Sequence, residues 1–410
     1  MNLRPYQQSA VDKVTEAWKR SRSVLLVAPT GAGKTVLGQA LIHGKRTLWV
    51  AHRRELVEQT SKRLGGGVIA PGYYPSPKAK IQIGTVQTLL ARGSRPAADV
   101  LVLDEAHHYM ADDWRALAEA YPNAKILGLT ATPERADGEP LGDIFEELVV
   151  AANYSELIRD GHLVTVRAYQ PPKNLGNDLA MDPVDAWVKH SEGSQAFVFC
   201  GRVHIADELS ARFRGLGVIA KTIEYNTPTR ERTEILDAFR AGHVKILTNV
   251  YALTEGVDVP QSRCCILARA FGHVGSYLQA VGRVLRPSKD KPDAILIDLT
   301  GTSRKHGLPI IDREYSLGER PISGDTQERE GHGAPAFEQK VVGMDLVVAH
   351  PGAGRAELPK SAIVYPVDMA ERREFYSRTL ETVRKHRMRD GFAAVRYREK
   401  YGEEPGVDWI

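Results

Sequence analysis

Residues 28–35 read Ala-Pro-Thr-Gly-Ala-Gly-Lys-Thr, behind the apolar run Leu25-Leu26-Val27 and ahead of a helical pattern. A glycine loop between strand and helix cradles an anion, because glycine lets the backbone wrap it with amide hydrogens and the helix N-terminus attracts negative charge. Thr30, Gly31, Ala32 and Gly33 are the candidate cradle, Lys34 the cation for the β and γ phosphates, and Thr35 the hydroxyl that ligates Mg²⁺. The strict phosphate-loop pattern wants Gly where this chain has Ala28, so the match is to a variant form. Further on, the run Val100 to Leu103 ends in Asp104-Glu105-Ala106-His107. An acidic pair ending a buried strand is where a metal-bound nucleotide is handled in open α/β sheets, with Asp104 the Mg²⁺ holder and Glu105 the residue that polarises the attacking water. A strand-ending Asp-Glu alone is a weak signal. Coupled to the phosphate loop, it points to hydrolysis of a nucleoside triphosphate.

Such residues need strands to hold them. Short apolar runs bounded by turn residues recur at Val24 to Val27, Thr47 to Val50, Ile81 to Ile83, Val100 to Leu103 and Ile126 to Leu129. They read as parallel strands covered on both faces, with helical segments such as Arg53 to Leu64 as the crossovers. The same grammar returns at Ala196 to Phe199, Val218 to Ala220, Val244 to Leu247, Cys264 to Leu267 and Ala294 to Ile297, between helical stretches such as His204 to Arg214 and Arg230 to Arg240. The expectation is α/β: a first lobe over 1–150, a second over 151–305 joined within 150–164, and an extension over 306–410. Gly301 to Gly333 reads as irregular. A basic, mainly helical end module follows, with ten Lys or Arg against five Asp or Glu from Glu371 to Lys400.

Composition sets the bounds. With 410 residues, 42 % apolar and 26 % charged, the chain is an ordinary globular protein too long for one core. It shows no run of about 18 apolar residues and no leader pattern, so the expected setting is the cytoplasm, bacterial or phage-infected by analogy. The three cysteines Cys200, Cys264 and Cys265 sit inside apolar runs without metal-ligand spacing and read as core thiols. A net charge of +4 permits polyanion binding without requiring it.

Further motifs run in a recognisable order across residues 4 to 287. They are Arg4-Pro5-Tyr6-Gln7, Ala51-His52-Arg53-Arg54-Glu55-Leu56, Gly84-Thr85-Val86-Gln87-Thr88, Leu129-Thr130-Ala131-Thr132-Pro133, Thr254-Glu255-Gly256-Val257-Asp258-Val259-Pro260 and Gln279-Ala280-Val281-Gly282-Arg283-Val284-Leu285-Arg286. Together with the two phosphate-site motifs, the set resembles superfamily 2 helicases of the DEAH type. Leu3-Arg4-Pro5-Tyr6-Gln7, Thr132-Pro133-Glu134-Arg135-Ala136-Asp137-Gly138 and Leu157-Ile158-Arg159-Asp160-Gly161-His162-Leu163 are most similar to the XPB/Rad25-like and UvsW-like DNA helicases, phage members included.

The resemblance implies two tandem RecA-like lobes, with ATP and Mg²⁺ as cofactors. It implies nucleotide contacts from Arg4, Gln7, Gly256, Asp258 and Gln279, and coupling through His107, Thr130 and Thr132. Arg283 and Arg286 would stabilise the transition state once the lobes close. It also implies strand contacts from Arg53, Thr85 and Gln87, and from Arg202, Thr248 and Thr254. Arg202 and Thr248 read equally well as cap or turn residues. The expected activity is an ATP-dependent DNA helicase or translocase acting on single-stranded, duplex or branched DNA, as a monomer and without membrane contact. An RNA helicase, or the motor or switch subunit of a restriction or repair assembly, stays open.

Overall fold

The computed structural model describes residues 2–318 and 344–348, apart from 75, 77, 93–94, 109–110, 134–140, 252 and 254–256. They form two compact units. The first comprises residues 2–163, His273–Gln279 and 312–318, and the second comprises Val164–Gly272, Ala280–Ile311 and 344–348.

The first unit runs α1 (Pro5–Arg20), β1 (Ser23–Val27), α2 (Lys34–Leu41), β2 (Thr47–Val50), α3 (Arg54–Leu64), β3 (Gly67–Ile69), β4 (Ile81–Gly84), α4 (Val86–Arg92), β5 (Val100–Asp104), α5 (Ala111–Ala120), β6 (Lys125–Thr130), β7 (Glu147–Val150) and α6 (Tyr154–Arg159). Its seven strands lie in the order β3-β4-β2-β5-β6-β1-β7, and every pairing is parallel. The order brings the carboxyl ends of β5, β6 and β1 side by side, with Val27 opposite Thr130 and Asp104 opposite Leu129. Leu25, Leu48, Leu101, Leu103, Ile126 and Phe145 form the core on one face, and Tyr315 and Leu317 pack against it.

Packing is tight in the middle of this sheet. A Cβ on Gly128 would stand 2.3 Å from Phe145 Cζ and 2.7 Å from Leu25 Cδ1. Gly128→Ala therefore overfills a closed core, and urea denaturation should show about 1–3 kcal/mol of lost stability in the transition of this unit.

The second unit runs β8 (Thr165–Gln170), α7 (Pro183–His190), β9 (Ala196–Cys200), α8 (Val203–Gly215), β10 (Ala220–Ile223), α9 (Thr229–Arg240), β11 (Ile246–Asn249), β12 (Cys264–Ala268), α10 (Val274–Val281), β13 (Asp293–Asp298), α11 (Thr302–His306) and β14 (Asp345–Val348). α10 crosses the division between the units. Its sheet has the order β10-β11-β9-β12-β13-β8-β14, parallel except for β14, which runs antiparallel to β8. The core gathers Val198, Phe213, Ile246, Ile266 and Ile297 around Trp187, which meets Phe213 edge-on at 5.6 Å.

Both lobes are thus α/β with mainly parallel sheets, as the apolar runs predict, but two strands start later than expected. Val218 and Val244 close helices instead. A left-handed glycine precedes each, Gly217 at φ 80 directly before Val218 and Gly242 at φ 77 two residues before Val244. The Val218 N–H donates to Phe213 O and the Val244 N–H to Ala238 O, so the strands begin only at Ala220 and Ile246. The stretch expected to be irregular contains α11, which forms because Asp298 collects its free amides. The end module from Tyr376 onward lies outside the described residues. No helix among the described residues is long and apolar enough to cross a membrane.

Candidate active site

The chain leaves β1 at Val27 and turns through Gly31 at φ 96 and Gly33 at φ 84 before α2 begins at Lys34. Both torsions lie where only glycine is unstrained. Ala32 N–H closes the turn on Pro29 O, and Ala28 N–H donates to Thr130 O, which fixes the loop to β6. Thr30 is buried, and its Oγ1 has no hydrogen-bond partner among the described residues. A Cβ on Gly33 would stand 2.9 Å from Gln7 Nε2 in addition to the torsional strain. Gly33→Ala should therefore lower the affinity for a fluorescent nucleotide at least tenfold with little change in the far-UV circular dichroism, and equal affinity would exclude the loop as the cradle.

Lys34 Nζ lies 3.2 Å from Glu105 Oε1, and both side chains are largely buried. Glu105 sits at φ 52, a left-handed torsion that costs a non-glycine residue about 1–2 kcal/mol and is held by its surroundings. One carboxylate oxygen thus faces the lysine, and the other, Oε2, lies 3.7 Å from His107 Nδ1. Asp104 is positioned by a residue that the motifs do not single out. Trp49 on β2 is fully buried and donates Nε1–H to Asp104 Oδ2 at 3.3 Å. Trp49 also lies under α2, where a Cβ on Gly38 would stand 2.6 Å from its Cη2. Its apolar-strand context reads as plain core, and only the neighbouring strand shows that its indole N–H serves the acid.

The next strand end carries a relay. Thr130 Oγ1 donates to Thr132 O at 2.6 Å and accepts from Thr132 N at 3.1 Å. Its single proton is thereby committed, so toward His107 Nδ1, 2.9 Å away, it accepts, and Nδ1 carries the hydrogen. His107 Nε2 is then an acceptor in the neutral ring. Gln279 Nε2 lies 3.5 Å from it and 3.5 Å from Glu105 Oε2. His107, Thr130 and Thr132, expected as coupling residues, thus form one hydrogen-bonded chain beside Glu105.

Gln7 is buried against the phosphate loop. Its Nε2 donates to Ala32 O at 3.2 Å, its Oε1 accepts from Arg4 N at 3.1 Å, and Tyr6 Oη donates to the same Ala32 carbonyl at 2.8 Å. Gln7 therefore braces the loop in addition to any contact with a base.

Two sequence profiles match the chain: the res subunit of type III restriction enzymes over residues 1–135, and the helicase conserved C-terminal domain over residues 180–288. Over these two stretches the chain is similar to superfamily 2 helicases. Among similar proteins, a 51.5 kDa protein of a Lactococcus phage is 27% identical over 316 residues, 71% of this chain and 68% of that one. The DNA 3'-5' translocase XPB2 of Sulfurisphaera tokodaii is 25% identical, with 73% of this chain and 81% of that one covered. Across four curated relatives the chain spans between 54% and 81% of their length. Among solved structures, the DNA-bound type ISP restriction-modification enzyme LlaBIII superposes with a TM-score of 0.55 at 17% identity, over 72% of this chain and 28% of that one, a likeness of fold.

The remaining residues that the helicase resemblance implies divide by environment. In the second unit Arg283 is buried and donates Nη1–H to Val257 O at 2.8 Å, and Arg286 forms an ion pair with Asp258. Arg53 and Arg202 are exposed at the N-caps of α3 and α8, and Gln87 is exposed on α4. Thr85 caps α4 by accepting from Thr88 N at 3.2 Å. Thr248 is fully buried, and its hydroxyl bonds Thr222 of the adjacent strand at 3.0 Å, so it faces the sheet interior and not solvent. Period-two alternation within β11 decides this, since one register step changes the face a side chain takes. Thr254 and Gly256 lie outside the described residues.

Proposed function

We propose that this chain is an ATP-dependent DNA helicase or translocase of the DEAH type, which couples nucleotide hydrolysis to movement on, or remodelling of, duplex or branched DNA. One arrangement carries the reading: Lys34, Glu105 and the His107-Thr130-Thr132 chain stand side by side at three strand ends, in a chain that matches the restriction res-subunit profile over 1–135 and the helicase C-terminal profile over 180–288. Lys34 takes up charge on the terminal phosphates, and Glu105 orients the attacking water and accepts its proton. Arg283 and Arg286 are our candidates for transition-state charge stabilisation, worth ~10³ to 10⁵ in other nucleotide hydrolases. The donor set fits Mg²⁺: a Thr35 hydroxyl, an oriented Asp104 carboxylate and, in the same loop as Thr35, a buried Thr30 hydroxyl with no partner among the described residues are all hard oxygens. Bound there, the ion would neutralise phosphate charge.

The DNA preference is supported by relatives named as DNA translocases and helicases of the XPB and Rad25 kind. We keep the UvsW-like resemblance within the same proposal. Arg53, Gln87 and Arg202 are the proposed strand contacts, because exposed cations and amides grip phosphates without reading bases. A second reading, a motor subunit working beside a separate nuclease, is favoured by the restriction-subunit profile over residues 1–135.

A panel of ATPase rates with single-stranded, duplex, forked and RNA ligands, run beside a strand-displacement assay, tests the proposal. Stimulation by forked or duplex DNA is the expected result. Stimulation by RNA alone would replace DNA with RNA, and no stimulation by any DNA would sink the reading.

A further inference from the structure

The second unit contains an arginine that forms no ion pair with any of the described residues. Arg269 follows β12, and its guanidinium carbon lies over two rings, 3.9 Å from the centroid of Phe271 and 4.3 Å from that of Tyr251. Phe271 is fixed from behind. It is buried, its N–H donates to Thr302 Oγ1 at 3.2 Å, its carbonyl lies 2.8 Å from His306 Nε2, and its ring meets Phe199 edge-on at 6.0 Å. Tyr251 is the outer wall, 58% exposed and held at φ 53, a left-handed torsion that a tyrosine keeps only when its surroundings impose it.

Among the described residues Arg269 makes no ion pair, and its one hydrogen bond, from Nη1 to the Ala270 carbonyl, is a long 3.4 Å. A guanidinium carries five N–H donors in a planar fork, so most of them are uncommitted. Burial works against its charge, and no carboxylate among the described residues compensates. Both rings lie over the guanidinium carbon, which leaves its donor edge to meet a ligand. An edge of paired N–H donors suits a phosphate oxygen pair, not a stacked base.

The surroundings point to a strand backbone. β9, β11 and β12 are neighbours in the sheet, and the segments that leave their carboxyl ends carry Arg202, Tyr251 and Arg269 in turn. Gly201, directly after β9, would bring a Cβ to 3.8 Å from Arg269 Cβ, so two of these segments touch. Arg202 is exposed beside it in the chain. Nucleotide phosphates have a cradle of their own at residues 28–35 in the first unit.

We propose that Arg269, held against the rings of Tyr251 and Phe271, is a phosphate-binding site for the sugar-phosphate backbone of a nucleic-acid strand. The proposal rests on the reading of the chain as a nucleic-acid motor. It is tested by titrating the full chain with fluorescein-labelled oligo-dT over a series of salt concentrations, without nucleotide. Arg269→Gln should weaken binding about tenfold, the loss of one charge-assisted contact, and should lower the slope of log affinity against log salt by about 0.7. The KM for ATP in the absence of DNA should stay as in the wild type. Tyr251→Ala should lose several-fold in affinity, whereas Tyr251→Phe, which keeps the ring, should bind as the wild type does.

A wild-type salt slope and affinity in Arg269→Gln would overturn the site. A raised KM for ATP with unchanged oligo-dT binding would do the same, by giving the anion to the nucleotide. Should Arg269→Gln fail to fold, the exposed Tyr251 decides: equal affinity of its Ala and Phe variants overturns the site. A wild-type chain that binds no oligonucleotide would refute the motor reading itself, an outcome distinct from variants that bind as the wild type does.

Discussion

Glu105→Gln should lower the rate of ATP hydrolysis by about 10² to 10⁴-fold while leaving nucleotide affinity within a few-fold of the wild type. The amide is isosteric and keeps an oxygen for Lys34 Nζ, now 3.2 Å from Oε1, so the architecture of the pair survives. It cannot accept the proton of an attacking water. The left-handed torsion of Glu105 is unchanged by the substitution, and the His107-Thr130-Thr132 chain does not depend on its charge. Loss of rate with retained binding therefore isolates proton transfer from structure. Measuring single-turnover hydrolysis beside fluorescent-nucleotide titration separates the two, and a variant within tenfold of the wild-type rate would remove Glu105 from the chemistry.

The second large effect is on stability. Asp298 ends β13 fully buried, and its carboxylate accepts four backbone N–H groups: Thr300, Gly301 and Thr302 on Oδ1 and Ser303 on Oδ2. Asp298→Ala strands these donors in the interior, at about 1–3 kcal/mol for each that finds no water. Partial relaxation leaves a loss on the order of 4 kcal/mol, a large fraction of the stability of an ordinary domain. The loop so held also presents Thr302 Oγ1 to the Phe271 N–H, so the damage should reach the wall behind Arg269. Guanidinium denaturation of the full chain reads the effect, and a loss under about 1 kcal/mol would show that the carboxylate is not what organises this turn.

Much of this protein is written locally. The runs at Val24, Thr47, Val100 and Cys264 are strands because a sheet covered on both faces admits apolar residues at every position. The strands that escape the sequence reading break that rule. β3 has only three residues, β7 opens on Glu147, and β8 alternates buried and half-buried positions around Arg167 near the sheet edge. Val218 and Val244 mislead because an apolar residue after a left-handed glycine serves helix closure as readily as a strand, and the letters do not distinguish them.

The candidate site divides along the same line. Which residues are the candidates to hold phosphate and activate water is legible in the sequence, because the glycine torsions, the lysine and the strand-ending acids follow the order that such chemistry needs. That Asp104 is oriented by Trp49, that Gln7 braces Ala32, and that His107 reaches Thr130 are consequences of strand order and register, since each partner lies on another element. Arg269 is the clearest case. As letters it is one more arginine after an apolar strand, and only the fold places it over the rings of Tyr251 and Phe271 with no carboxylate paired to it among the described residues. Local sequence determined the strands, the phosphate loop and the acids, because backbone propensity and contiguous motifs act over a few residues. Tertiary structure alone decided the partners, because side chains far apart in the chain meet only where parallel strands and their crossovers bring them together.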